Sequence, residues 1–273
     1  MAIITISRQI ASYGDETASA LAESLGYNFI DKKDLEKDLV SRGISESHLK
    51  QYDERKPGFW ASLSRNRDQY FDYLREIVYT YALKGNCVFI GRGGFALLRG
   101  IPGCYAARLI ASDTVRIARL MKEFDWSEKK ARALITESDT NREGFHKCFF
   151  DMKPEDPAHY RLVINTDEVT ADIAADIIRH ACSVTISKSE EKAGLERIGE
   201  LLIGQKIVNR IAFTEELPIY FLDAEVNAAE IILHGVADSV TCIDRAIGIA
   251  QEMSEGHTVS SQINMVNEYK TYP

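Results

Sequence analysis

The residues best placed to do chemistry come early in the chain: Arg8, Gln9, Ser12, Tyr13, Gly14 and Asp15. They follow the apolar run Ala2–Ile6 and precede a helical stretch, Glu16–Leu25, that stops at Gly26. A buried strand that breaks into a small-residue turn and then a helix aims backbone N–H groups at phosphate. The Gly-Lys-Ser/Thr ending of a standard phosphate loop is missing, however. Asp15 and Glu16 suit the positive end of a bare helix, yet the same carboxylates repel a triphosphate. Two readings stay open at this point: a phosphate cradle built on Ser12, Gly14 and nearby amides, or a strand–helix turn that keeps the shape and has lost the ligand.

Other side chains sit where α/β proteins bind ligands, at the carboxyl ends of strands. Gly91-Arg92-Gly93-Gly94 follows the apolar run Cys87–Ile90. Glycines let a backbone approach a ligand closely, and an arginine there calls for an anion or for a carboxylate of the protein. Asp31 ends the short run Tyr27–Ile30, where a ligand contact and a helix cap are both consistent with its position. Arg116 and Arg119 share a helix face at i, i+3. Arg132 and the segment Asp139-x-x-Arg142 come from the next helix and its end. A solvated basic face explains Lys122, Lys129 and Lys130 well and is the competing reading for the arginines. Six scattered histidines and five scattered cysteines show no metal-ligand spacing, so reduced thiols and no resident metal are expected.

These groups need a scaffold, and the pattern supplies one. Strand and helix signals alternate as in a parallel α/β domain. The order is Ala2–Ile6, a helix, Tyr27–Ile30, a polar helical stretch to about Leu63 broken by Pro57-Gly58, a helix Asp68–Lys84, and Cys87–Ile90. Ala106–Ile110, helices Asp113–Glu123 and Ser127–Ser138, a strand Leu162–Ile164 and a helix Ala171–Ala181 follow. The charged run Ser187–Lys192 reads as a linker. Beyond it come a helix Leu195–Ile211, strands at Ile219–Val226 and Glu230–Leu233, a helix Thr241–Met253 and a strand Val259–Val266. The expected division is therefore 1–186 and 195–273.

Of the 273 residues, 45% are hydrophobic, enough for real cores. No apolar run approaches the ~18–20 residues of a membrane span, and no secretory leader is evident, so a cytoplasmic protein without integral membrane association is expected. Residues 195–273 hold five Lys/Arg against twelve Asp/Glu, a net of −7 within a total of −8. No basic stripe is present, which excludes a nucleic-acid binder.

The segments Ile4–Gln9, Leu25–Asp31, Phe89–Gly93, Ser127–Ala131, Asp139–Arg142 and Leu162–Thr166 together resemble the cytidylate kinase-like family, a branch of the P-loop nucleoside monophosphate kinases, over about residues 1–182. The tail resembles a BON domain over about 195–269, through Ala229–Ser239, Asp244–Ala250 and Val259–Val266. The resemblance implies a P-loop NTPase-like parallel sheet with helices on both faces, Ala2–Ile6 in the centre, and a small α+β domain behind it.

It also implies a chemistry: phosphate passed from ATP, with Mg²⁺, to a nucleoside monophosphate, CMP being the first to try. Gly14 then stands in the place of the family's catalytic lysine, and Arg8 is the candidate replacement cation. Gln9, Ser12, Tyr13, Gly14 and Asp15 would hold the donor. Asp31, Arg92, Gly93, Arg132 and Asp139 would hold the acceptor, and Arg116, Arg119 and Arg142 would close as lid arginines. The alternative is a degenerate nucleotide-binding protein that signals through its tail. The BON resemblance implies an interaction or phospholipid-associated module, and because a net of −7 is repelled by anionic lipid, a homodimer or a protein partner is expected there.

Overall fold

The computed structural model describes residues 2–52 and 65–266. The Pro57-Gly58 interruption lies outside the described residues. By its internal contacts the chain divides into two compact units, 1–195 and 196–273.

The first unit is a five-stranded parallel sheet in the order β2-β3-β1-β4-β5. Its strands are β1 (Ile3–Arg8), β2 (Asn28–Ile30), β3 (Cys87–Ile90), β4 (Cys104–Ile110) and β5 (Leu162–Asn165). The central strand is β1, with Ile3 opposite Cys87 on one side and Cys104 on the other. Buried on both faces, it reads as a continuous apolar run rather than an alternating one. Ile4 and Ile6, with Val88, Ile90, Ala107 and Leu109, pack against α1 (Gly14–Leu25) and α8 (Ala171–Thr185). Thr5 and Phe89 point the other way, against the start of α5 (Gly94–Leu97).

The connecting helices are α2 (Lys32–Ser41), α3 (Glu46–Gln51), α4 (Arg65–Leu83), α6 (Asp113–Phe124) and α7 (Glu128–Phe150). The last differs from the sequence reading, which ends it at Ser138. Asp139-Thr140-Asn141 are weak helix formers. The helix runs through them because Asp139 is held by Arg116 and because Phe145, His146 and Phe149 bury one face of its final turns.

The charged run at 187–192 is no linker. It opens α9 (Lys188–Asn209), where Glu190 Oε2 accepts from the Ser187 amide at 2.8 Å and Ser187 Oγ accepts from the Glu190 amide at 3.2 Å. That reciprocal pair is a capping box. The helix ends in a π-turn, Arg210–Thr214.

The second unit is a mixed sheet, β6 (Ile219–Val226), β7 (Glu230–Ala237) and β8 (Thr258–Met265), with α10 (Val240–Glu252) between the last two. The β6–β7 pair is antiparallel and the β7–β8 pair parallel. Strand β7 runs past the expected end at Leu233 because Gly235, at φ 151, lies where β6 bulges between Tyr220 and Asp223. A Cβ there would lie 2.8 Å from Ile219 Cγ2. Ile207, Ile211, Val226, Ile231, Leu233, Ala246, Ile249 and Ala250 form its core.

Candidate functional site

A cavity of about 590 Å³ opens at the carboxyl edge of the parallel sheet. Ser7, Arg8 and Gln9 from the end of β1, Arg108 from β4, Asp139, Arg142 and His146 from α7, and Lys153 and Glu155 beyond it are among its walls. A narrow recess beside it is lined by Arg8, Gly91, Gly93, Phe95, Arg142 and His146. The volume lies in the usual range for small-molecule sites.

The loop from Gln9 to Tyr13 is clamped from behind. Ser12 is fully buried, its Oγ in reach of the Gln9 and Leu109 carbonyls at 2.9 and 3.1 Å. Its hydroxyl is therefore turned into the fold, leaving the backbone to face a ligand. Gln9 Oε1 accepts from the Ala111 amide at 3.1 Å. Arg116 donates to the Ile10 carbonyl at 3.0 Å and Arg119 to the Ala11 carbonyl at 3.0 Å. The Arg119 guanidinium also lies 3.6 Å from the centre of the Tyr13 ring and donates to Thr166. Ala11 and Tyr13 take left-handed φ values of 57° and 59°, so the loop turns sharply into α1. The amides of residues 13–16 donate to no acceptor among the described residues, as expected of a first helical turn.

Arg8 crosses this turn. A Cβ at Gly14 would lie 2.3 Å from Arg8 Cγ, so the arginine stem fills the space over Gly14, and its Nε lies 3.9 Å from Asp15. The Asp15 side chain is 71% exposed.

The remaining predicted residues divide into those near the cavity and those engaged elsewhere. Arg142, which donates to Ser138 Oγ at 2.9 Å, lines both the cavity and the recess. Asp139 lines the cavity while taking both ends of the Arg116 guanidinium at 2.9 Å. Gly93 lines the recess, and a Cβ there would meet the Phe150 ring at 2.3 Å. Arg92 is buried and donates to Glu36 Oε1 at 2.6 Å, Tyr70 Oη at 3.0 Å and the Tyr52 carbonyl at 3.3 Å. Asp31 caps α2, accepting from the Lys33 and Asp34 amides. Arg132 is exposed and pairs with Glu128 on its own helix at 2.7 Å.

Sequence reasoning missed Ser7, Arg108, His146, Lys153 and Glu155. Arg108 carried a usable signal: it is a charge inside the apolar strand Cys104–Ile110. His146, whose Nδ1 meets the Arg142 carbonyl at 2.7 Å, lies beyond the point where the helix was expected to stop. Among the described residues, no group of three or more His, Cys, Asp or Glu could hold a metal ion. No helix of the described residues is long and apolar enough to cross a membrane.

A search of curated proteins finds no match. Among solved structures, an uncharacterized protein from Eubacterium ventriosum is similar with a TM-score of 0.54, at 22% identity over 67% of this chain and 98% of its own. Shikimate kinase from Bacteroides thetaiotaomicron matches with a TM-score of 0.37, at 13% identity over 74% and 98%. TT1252 from Thermus thermophilus matches with a TM-score of 0.40, at 17% identity over 67% and 98%. The model of the cytidylate kinase-like family matches residues 3–168, which span all five parallel strands and the cavity at their ends; the chain belongs to that family.

Proposed function

We propose that the parallel-sheet unit binds ATP and passes its terminal phosphate to a nucleoside monophosphate, with CMP the first acceptor to try. The observation that carries this reading is Arg8 laid over Gly14. A cation at the mouth of α1 supplies, from the end of β1, the charge that the missing lysine would supply from the helix.

Phosphoryl transfer asks the protein for positioning and charge neutralisation more than for covalent chemistry. The amides of residues 13–16 present donors to phosphate oxygens, and Arg8 and Arg142 face the same cavity. Arg116 and Arg119 act one step back, fixing the loop that offers those amides. When bound, ATP would supply the phosphoryl group and Mg²⁺ would neutralise charge on its phosphates. Magnesium keeps several waters and takes one or two carboxylates plus substrate phosphates. The exposed Asp15 beside Arg8 fits that requirement.

The test is a thermal-shift panel of nucleotides with and without Mg²⁺, followed by product analysis with CMP and other monophosphates. ATP should raise the melting temperature, and ADP should form only when an acceptor is present. Arg8→Ala should slow transfer ~10²–10³-fold. Failure of every nucleotide to stabilise the protein would sink the proposal. Stabilisation without turnover would favour the second reading, a nucleotide-binding regulator. That reading is supported by Asp15 and Glu16 in the first helical turn and by Arg8 lying near Asp15.

For residues 195–273 we propose a BON-like interaction module that binds a protein or a second copy of the chain. The element order helix–strand–strand–helix–strand supports it, as does the 89% exposed Phe221 on the edge strand β6. A net charge of −7 disfavours anionic membranes. Sedimentation with anionic vesicles should leave the protein in solution, and strong salt-sensitive co-sedimentation would refute this assignment.

A further inference from the structure

Three arginines of the parallel-sheet unit are almost wholly buried: Arg92, Arg116 and Arg108. The first two face carboxylates at 2.6 and 2.9 Å. Arg108 does not. Its Nη1 donates to Ser7 Oγ at 2.8 Å and to Tyr160 Oη at 3.3 Å, and its guanidinium carbon lies 5.6 Å from the centre of the Tyr160 ring. The carboxylate paired with it is Glu155, 4.0 Å from Nη2 and 58% exposed. Burial pushes the Tyr160 hydroxyl above the usual phenol range, so this partner brings no negative charge.

A guanidinium cannot shed its proton, and a buried charge without a close counter-charge is costly. Arg108 nevertheless lines two spaces, the 590 Å³ cavity and a neighbouring one of about 350 Å³ shared with Gln9, Ala111, Ser112 and Asn165. It is also held in place. Tyr160 Oη donates to the Pro154 carbonyl at 2.9 Å and lies 3.2 Å from Ser7 Oγ, closing a triangle of Ser7, Tyr160 and Arg108. In the sheet, Arg108 stands directly opposite Ser7, one residue before Arg8. Adjacent strands thus bring two cations to one cavity.

We propose that Arg108 is a phosphate-binding residue, fixed by Ser7 and Tyr160 so that its planar fork takes oxygens of a nucleotide phosphate in the cavity. The inference rests on the phosphotransfer reading for the identity of the ligand, while the anion subsite itself stands on the geometry. A preset fork binds phosphate at two points, and little side-chain freedom is lost on binding.

The experiment is calorimetric titration of the full chain with pyrophosphate, ATP and CMP, at two salt concentrations. The variants are Arg108→Gln, Arg108→Lys and the exposed control Arg179→Gln. Pyrophosphate affinity should fall at least tenfold in Arg108→Gln and to an intermediate value in Arg108→Lys, with Arg179→Gln unchanged. The salt dependence of binding should also weaken in Arg108→Gln, which a merely structural role would not produce. A larger loss for ATP than for CMP, or the reverse, assigns the subsite to donor or acceptor.

If Arg108→Gln does not fold, Arg108→Lys decides, since it keeps the charge and loses the fork. A threefold or greater loss supports the subsite, and unchanged affinity overturns it. Pyrophosphate binding through Arg108 with no nucleotide binding leaves the subsite standing and removes the kinase reading. Nucleotide turnover with full pyrophosphate affinity in folded Arg108→Gln does the opposite. Absence of pyrophosphate binding by the unaltered protein overturns the inference.

Discussion

Glu36 meets Arg92 at 2.6 Å, and the arginine side chain is 1% exposed. The pair ties α2 to the left-handed turn Gly91-Arg92-Gly93, while Tyr70 Oη and the Tyr52 carbonyl hold the other nitrogen. The positive charge at this strand end is thus already matched by a carboxylate of the protein. An acceptor phosphate that uses Arg92 must displace Glu36 or share the guanidinium with it.

Removing that carboxylate should be felt in the fold. Glu36→Ala takes a carboxylate away from a buried guanidinium and should cost about 3 kcal/mol. Urea unfolding reads this as a lower midpoint at constant slope, and an unchanged midpoint would show that the pair holds nothing together.

The same pair sets an expectation for the acceptor. Arg92→Ala should weaken CMP binding by about 1.5–3 kcal/mol, Arg99→Ala should do little, and Glu36→Gln should tighten binding by removing a competing negative charge. Calorimetry with CMP distinguishes the three variants. Equal losses in Arg92→Ala and Arg99→Ala would leave Arg92 with no special role.

Arg116 and Arg132 make a second contrast. Both were candidates for phosphate contact, yet Arg116 is buried on Asp139, Asp113 and the Ile10 carbonyl, whereas Arg132 is exposed on its own helix. Arg116→Ala should cost roughly 3–5 kcal/mol, and Arg132→Ala no more than about 0.5 kcal/mol. Comparable denaturation midpoints for the two would contradict the geometry.

Gly14→Ala probes the arginine that covers the loop. The added methyl would fall 2.3 Å from Arg8 Cγ and 2.6 Å from its Cβ. The arginine must move away, so stability should drop by about 1–3 kcal/mol and phosphate affinity should drop with it. Unchanged affinity for ATP would place Arg8 outside the phosphate site.

Cys87, Cys104 and Cys182 have thiols that burial pushes up to about 12. In the unfolded chain they ionise near 9, so between pH 9 and 12 the folded state holds more protons than the unfolded one. Stability is therefore fully present below pH 9 and falls as pH rises through that window, by at most about 1.4 kcal/mol per unit for each thiol. Urea midpoints between pH 8 and 10.5 should decline, and less steeply in Cys104→Ala. Native thiols should also resist a thiol reagent at pH 8, and rapid labelling of all three would show that they are not sealed in the core.

What the sequence determined by itself was the sheet and the loop. The runs Ala2–Ile6, Cys87–Ile90 and Ala106–Ile110 are local, apolar and bounded by turn residues, so hydrophobic patterning reads them as strands of a parallel sheet, and the family resemblance puts the first of them in the middle. The break after the apolar run at Ile6 and the glycine turn at Gly91 are legible for the same reason, although β1 itself continues to Arg8. Which arginine faces the cavity was decided only by the tertiary structure. Arg92, Arg108 and Arg116 are identical letters, and their fates depend on carboxylates 3 to 56 residues away: Glu36 takes Arg92, Asp113 and Asp139 take Arg116, and Arg108 keeps two hydroxyls and a distant Glu155. The length of α7 was hidden in the same way, since a weak local helix former such as Asp139 stays helical when a partner from another helix holds it. Local propensity is written residue by residue, whereas charge pairing is settled only when the chain has closed on itself.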